Sequence, residues 1–435
     1  MVRPDYAGGG FVNLIASIVE ACGGAPRHAP LAALPAGKLA AARNIVLLIV
    51  DGLGDRYLAR EGASGALYAR RRGALTSVFP STTASAITTS YTGWAPLEHG
   101  LTGWFTLFGE AGCVGSPLPF QRRGEKTALD IEPARLYRAA SLFDGLARRS
   151  IVVSFRPIVD STYNRHHCGR AERRAYDKLE GLIEQTVAAV KSSPEPKFVY
   201  AYWPEFDALS HRFGNASPEA RAQFGAIDAA FAELMARLAG TDTVVVATAD
   251  HGFVDSVGAD ALDFADAPGL AALLRYPLCG ESRIAFCHVQ AGRVAEFTAR
   301  ARLRERRARR RGLVRRRRRA PAPRRARGRR GAADARPRDG EGLDARRAAP
   351  PPRRPPRRRE RGRDVDSTHR GERMKAKTNG IETSYELHGK EGAPWLVLGH
   401  SLACSVRMWD PQIAALKAPP RVAATATATA LIRKM

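Results

Sequence analysis

Residues 44–51 read NIVLLIVD, an unbroken apolar run rich in Ile and Val that stops at Asp51-Gly52. A strand apolar on both faces has to be covered on both sides, which happens when helices lie above and below a parallel sheet. The same signature returns at 150–155, 198–203 and 243–249, with helical patterns between at 84–91, 171–190 and 218–238. This alternation predicts an α/β fold with a mainly parallel central sheet flanked by helices. Chemistry in such sheets gathers at the carboxyl ends of the strands, and Asp51 and Asp250 both fall at such ends.

The formal charge of +26 over 435 residues invites a nucleic-acid reading, so its location matters. Between Arg302 and Arg373 there are 30 Arg, no Lys and 9 acidic residues, which is +21 and leaves only +5 for the remaining 363 residues. That segment holds five Leu or Val and no aromatic residue, too little apolar surface to offset the entropy of ordering it. It is expected to be disordered and to contact nucleic acid only non-specifically. A nucleic-acid-binding tail and a solvated linker are alternatives, but the complete absence of Lys favours GC-rich coding DNA translated out of frame. Three regions follow: 1–301, 302–373 and 374–435. The text of the first region stops near Ala301, so its fold is expected to be truncated at the C-terminal end.

Six scattered cysteines with no C-x-x-C spacing fit reduced, mostly buried thiols. The apolar stretch 11–22 is too short to cross a bilayer and reads as an amphipathic first helix. A cytoplasmic location without a membrane partner follows.

Four separated pieces carry chemistry. Asp51 ends the first strand. Phe79-Pro80-Ser81-Thr82-Thr83 leads into a helix, where a hydroxyl serves as an N-cap or lies beside N–H groups that draw an anion. Asp207 and His211 are four residues apart, so a helix puts carboxylate and imidazole on one face. Asp250-His251-Gly252 follows the run TVVVATA. Each piece alone has a bland explanation as a turn, a cap or a surface pair. Together they provide three carboxylates, two imidazoles and a hydroxyl, a mixed O/N set suited to Zn²⁺ or Mn²⁺, with Zn²⁺ favoured. Paired cations can activate a threonine and clamp a phosphoryl group.

The order Asp51, Thr83, Asp207-x-x-x-His211, Asp250-His251 resembles the alkaline phosphatase superfamily, above all its nucleotide pyrophosphatase/phosphodiesterase and phosphonoacetate hydrolase branches. The nucleophile segment is similar to F-P-T-x-T followed by T-G, a proline and H-G, here Thr92-Gly93, Pro96 and His99-Gly100. The resemblance covers about residues 40–300 and selects Thr83 as the catalytic nucleophile that takes up the phosphoryl group. It implies one metal held by Asp51, Thr83, Asp250 and His251, a second held by Asp207, His211 and a later histidine, and a small phosphate-ester or nucleotide substrate. Two departures are visible. Trp104 stands where those enzymes have a phosphate-binding Asn, and the later histidine has no clear match. His388-Gly389 lies in a different kind of text, and His166-His167 come too early and read as a surface or substrate-side feature.

From Met374 to about Ala415 the chain resembles the start of an α/β-hydrolase: a hairpin, a strand at 395–398 and an oxyanion-hole loop. Ser401 in Gly399-His400-Ser401 only mimics a nucleophile elbow, which in that family lies much further on.

Overall fold

The computed structural model describes residues 2–254, 264 and 267–302, together with the backbone of four short strands between 372 and 425. Five strands build the central sheet: β1 (Asn44–Val50), β2 (Arg149–Phe155), β3 (Glu172–Tyr176), β4 (Lys197–Trp203) and β5 (Thr243–Thr248). Their spatial order is β3-β2-β4-β1-β5, and every pairing is parallel. The central sheet is therefore wholly parallel and flanked by helices.

Burial on both faces explains the apolar runs. Ile45, Leu47 and Ile49 of β1 face one core, packed with Phe11, Ile15 and Ile18 of α1 (Phe11–Ala21) and Ile87 of α2 (Thr83–Thr92). Val46, Leu48 and Val50 face the other, against Leu182 and Val187 of α3 (Leu179–Lys191) and Phe224, Ile227 and Phe231 of α5 (Pro218–Arg237). A shorter helix, α4 (Glu205–Phe213), follows β4 directly. Register then aligns the carboxyl ends, since Val50 pairs with Trp203 and Ile49 with Thr248.

Two sequence readings need correction, and a third holds in a more buried setting than expected. The helix expected over 171–190 is a strand and a helix. Its first part, Glu-Arg-Arg-Ala-Tyr, is the edge strand β3, whose charges form pairs along the rim, Arg149–Glu172 at 2.8 Å and Arg173–Asp160 at 3.0 Å. Charged side chains on an edge strand keep other strands from adding to it, and they also hide the strand from an apolar-run reading. Helix α1 keeps the expected amphipathic pattern, with Asn13, Ser17 and Glu20 on one stripe, yet ten of its eleven residues are buried. Its two buried polar residues are bonded rather than solvated. Asn13 accepts from Gly10 N–H at 3.0 Å and donates to the Tyr6 and Ala29 carbonyls at 3.0 and 2.8 Å, and Ser17 Oγ accepts from Leu31 N–H at 2.8 Å. His167 is not a surface feature. It is buried and stacked 4.1 Å from Tyr163, and burial pushes its imidazole down to about 3, so it is a neutral core histidine.

A two-residue hairpin, Cys279–Gly280 with Ala285–Phe286, lies antiparallel beyond the main sheet. Further on, Glu372–Thr378 pairs antiparallel with Ile381–His388, and Trp395–Gly399 runs parallel to Arg421–Thr425. The expected lack of a core within 302–373 and the Ser401 loop lie outside the described residues. Among those described, no helix is long and apolar enough to cross a membrane.

Replacing Asn13 by Ala leaves the Gly10 N–H and two carbonyls without their buried partner. Chemical denaturation of N13A is expected to show a loss of about 1–3 kcal/mol.

Candidate metal centre

The sheet's carboxyl edge collects the motif residues. Asp51 leaves β1 with its N–H on the Trp203 carbonyl at 2.9 Å, and its side chain is 3% exposed. Gly52 follows with φ +74, and a Cβ there would sit 2.5 Å from the Phe253 ring and 3.2 Å from Asp207 Cβ, so glycine lets the two loops close on each other. Asp250, wholly buried beyond β5, uses one oxygen to accept from Gly52 N–H at 3.1 Å and from His251 N–H at 2.9 Å. Its other oxygen, Oδ2, is buried with no hydrogen-bond donor, and so is Asp207 Oδ1.

His251 Nε2 is the hub. It lies 3.3 Å from Asp51 Oδ1, 3.7 Å from Asp207 Oδ1, 3.8 Å from Asp250 Oδ2 and 3.1 Å from Thr83 Oγ. Thr83 Oγ is also 3.4 Å from Asp51 Oδ1. The structure thus gathers Asp51, Thr83, Asp207, Asp250 and His251 in one place. His211 joins only through Asp207, at 3.5 Å across one turn of α4, and its side chain is 70% exposed. The tight donor group is Asp51, Asp250 and His251, with ligand atoms within 4.8 Å of one another.

Thr83 is the first residue of α2. The preceding Thr82 is extended and makes no side-chain cap, so the first-turn N–H groups are not satisfied from that hydroxyl. The hydroxyl donates instead to Glu281 Oε1 at 2.5 Å. Trp104 reaches the same oxygen through its backbone N–H.

Charge dominates this edge. Burial, then the neighbouring Asp250, raises the Asp51 carboxyl to about 6, while His251 and the Tyr202 hydroxyl oppose the rise. Burial and Asp51 raise Asp207 to about 6 as well. Burial alone would lower His251, but Asp250, Asp51 and Asp207 outweigh it and lift the imidazole to about 10. An imidazolium is therefore the cation these acids hold. Two buried carboxylate oxygens with no donor, within reach of a third acid and an imidazole, form the donor set that a divalent ion satisfies.

Two contributors carry no motif. Tyr202, buried near the end of β4, donates its hydroxyl to Asp51 Oδ2. Its signal was a tyrosine near the carboxyl end of a buried strand, too common to read. Glu281 gave no signal, because only the distant hairpin brings it here.

An acid–imidazole cluster around a threonine thus lies at the carboxyl edge of a parallel sheet, where sites in such folds collect. The family model described as type I phosphodiesterase / nucleotide pyrophosphatase matches residues 45–319, and the chain belongs to that family. A phosphopentomutase of Shewanella sp. (strain W3-18-1) is 31% identical over 138 residues, 31% of this chain and 32% of that protein, so the likeness spans about a third of the relative's length. Among solved structures, murine ectonucleotide pyrophosphatase/phosphodiesterase 5, in an inactive form in complex with AMP, aligns at a TM-score of 0.44 and 16% identity, covering 58% of this chain and 68% of that one. The human counterpart aligns at 0.45 and 18% with the same coverage.

A histidine raised to about 10 must lose its proton before it can bind a metal. Zinc titration of the metal-free protein at pH 8, followed by calorimetry in buffers of different ionisation enthalpy, is expected to show release of about one proton per chain, a release that fades above pH 10.

Proposed function

We propose that the domain hydrolyses phosphate esters of the phosphodiesterase or nucleotide pyrophosphatase type, with Thr83 as the nucleophile that becomes transiently phosphorylated. The observation that carries this reading is the place of Thr83 Oγ, at the start of α2 and within 3.5 Å of both Asp51 and His251. Asp51, Thr83, Asp250 and His251 would hold one divalent ion, and Asp207 with His211 would contribute to a second, zinc suiting this donor set better than manganese. When bound, such ions polarise the phosphoryl oxygens and lower the pKa of the hydroxyl.

The remaining work belongs to the chain. Asp51 Oδ1 orients the Thr83 hydroxyl, and Tyr202 fixes the other oxygen of that carboxylate. The N-terminal turn of α2 offers its N–H groups and dipole to the transferring phosphoryl group. Thr83 Oγ gives up its proton and forms a new P–O bond as the ester P–O bond breaks, and the departing oxygen takes a proton and leaves as the alcohol. Water then cleaves the phospho-threonine to release the phosphate product and restore the hydroxyl. Thr83→Ala is expected to lower turnover of bis-p-nitrophenyl phosphate about a thousandfold or more while the protein keeps its fold and most of its zinc. Undiminished turnover in T83A excludes the covalent route.

Activity is proposed to be impaired. Among the described residues Asp207 and His211 amount to two donors, too few for a firm tetrahedral zinc site. Elemental analysis after dialysis is expected to give nearer one zinc than two per chain. Two retained ions, with turnover equal to that of a chain restored in frame beyond codon 301, overturns the impairment. Reading the nucleotide sequence of codons 295–375 in all three frames tests whether 302–373 is out-of-frame coding. The free cysteines Cys22, Cys113, Cys168, Cys279 and Cys287 suit a reducing, cytoplasmic setting. The 138-residue likeness to a phosphopentomutase favours a second reading, transfer of a phosphoryl group within a sugar phosphate. Product analysis separates the two: isomerised sugar phosphate supports the mutase, and free inorganic phosphate or nucleoside monophosphate the hydrolase.

A further inference from the structure

Glu281 belongs to none of the recognised motifs, yet its carboxylate is bonded to Thr82, the residue directly before the nucleophile. The hairpin tip that carries it closes on itself, with Glu281 N–H on the Ile284 carbonyl at 2.8 Å and Ile284 N–H on the Glu281 carbonyl at 3.1 Å. Behind the tip, Gly280 and Phe105 exchange backbone hydrogen bonds of 2.6 and 3.2 Å. The two chains touch so closely that a Cβ on Gly103 would lie 2.5 Å from Gly280 Cα, and Gly280 itself has φ +88. The tip is therefore docked firmly against the loop after His99-Gly100. From it, Glu281 Oε1 takes the Thr82 hydroxyl and the Trp104 N–H.

Thr82 is the residue before Thr83, so this negative charge sits at the end of α2 where a substrate's phosphoryl group would be drawn. Its two partners are donors that a phosphoryl oxygen could otherwise use. A neutral acceptor would position Thr82 and Trp104 equally well, and the charge adds repulsion against any anion that arrives. Phosphate monoesters carry close to two negative charges at alkaline pH and diesters only one.

We infer that Glu281 is a specificity-determining residue: its carboxylate at the N-terminus of the Thr83 helix disfavours dianionic monoesters and selects monoanionic phosphodiesters. The inference rests on the hydrolase reading above and names the substrate charge that the same site accepts.

Glu281→Gln keeps an oxygen acceptor for both donors and removes the charge. With the full zinc-loaded chain at pH 8, kcat/KM is measured for bis-p-nitrophenyl phosphate and p-nitrophenyl phosphate. The diester-to-monoester ratio is expected to fall about tenfold or more in E281Q. Glu281→Ala removes the hydrogen bonds as well, and is expected to shift the ratio in the same direction while lowering both turnovers. Calorimetric binding of inorganic phosphate and of diethyl phosphate gives a readout independent of turnover. In E281Q, inorganic phosphate is expected to tighten severalfold and diethyl phosphate to change less than about twofold. An unchanged ratio together with equal shifts for both ligands overturns the inference and leaves Glu281 a positioning residue. Failure to turn over either ester, in the wild-type chain and also in one restored in frame beyond codon 301, overturns the hydrolase reading instead, and the binding comparison still decides the role of the charge.

Discussion

Repulsion among Asp51, Asp207 and Asp250 is the constraint that organises this molecule. Taking even one carboxylate out of water costs several kcal/mol unless it is paired and hydrogen-bonded. Here two are buried and one nearly so, all converging on a single imidazole. The fold tolerates this because each acid is partly satisfied by rigid neighbours: the Tyr202 hydroxyl on Asp51, and the Gly52 and His251 N–H groups on Asp250. Those neighbours are rigid because β1, β4 and β5 are locked in register between two apolar cores. The two-sided hydrophobic sheet and the strained charge cluster are one design, since the first fixes the geometry that the second needs.

Much of this was legible in the sequence, for identifiable reasons. Strands buried on both faces must be continuously apolar, so β1, β2, β4 and β5 stood out to within a residue or two of their ends. An acid directly after such a strand can only be at the carboxyl edge, which located Asp51 and Asp250. Asp207 and His211 followed from helical spacing. What stayed hidden depends on tertiary context. Strand β3 is short and charged because it is an edge, and Asn13 and Ser17 are polar yet buried because distant backbone needs them. His167 looks like a surface residue until aromatic rings enclose it. Glu281 stands 199 residues from Thr82, a distance over which sequence pattern carries no signal.

The site is uneven. Asp51, Asp250 and His251 form a compact and deeply enclosed set, whereas His211 stands at the outer end of α4 with the Phe253 ring 5.0 Å away. Substrate approaching over α4 would meet the exposed imidazole first and the enclosed acids last. The match to the type I phosphodiesterase / nucleotide pyrophosphatase family model spans both halves, together with the hairpin that carries Glu281.

The contacts that assemble the centre also set when it can exist during synthesis. Gly52 meets Asp250 across 198 residues, Thr83 meets His251 across 168, and Thr82 meets Glu281 across 199. Local helices can form as the chain emerges, but pairings of such separation pay their loop-closure entropy only late. Until β5 has left the ribosome and docked beside β1, Asp51 has neither its imidazole partner nor its companion acid. A nascent chain stalled before that point carries the threonine and most of the sheet but lacks Asp250 and His251, two of the three members of the tight donor group. Completion of the donor group thus marks that translation has passed the fifth strand and that the sheet has closed around it.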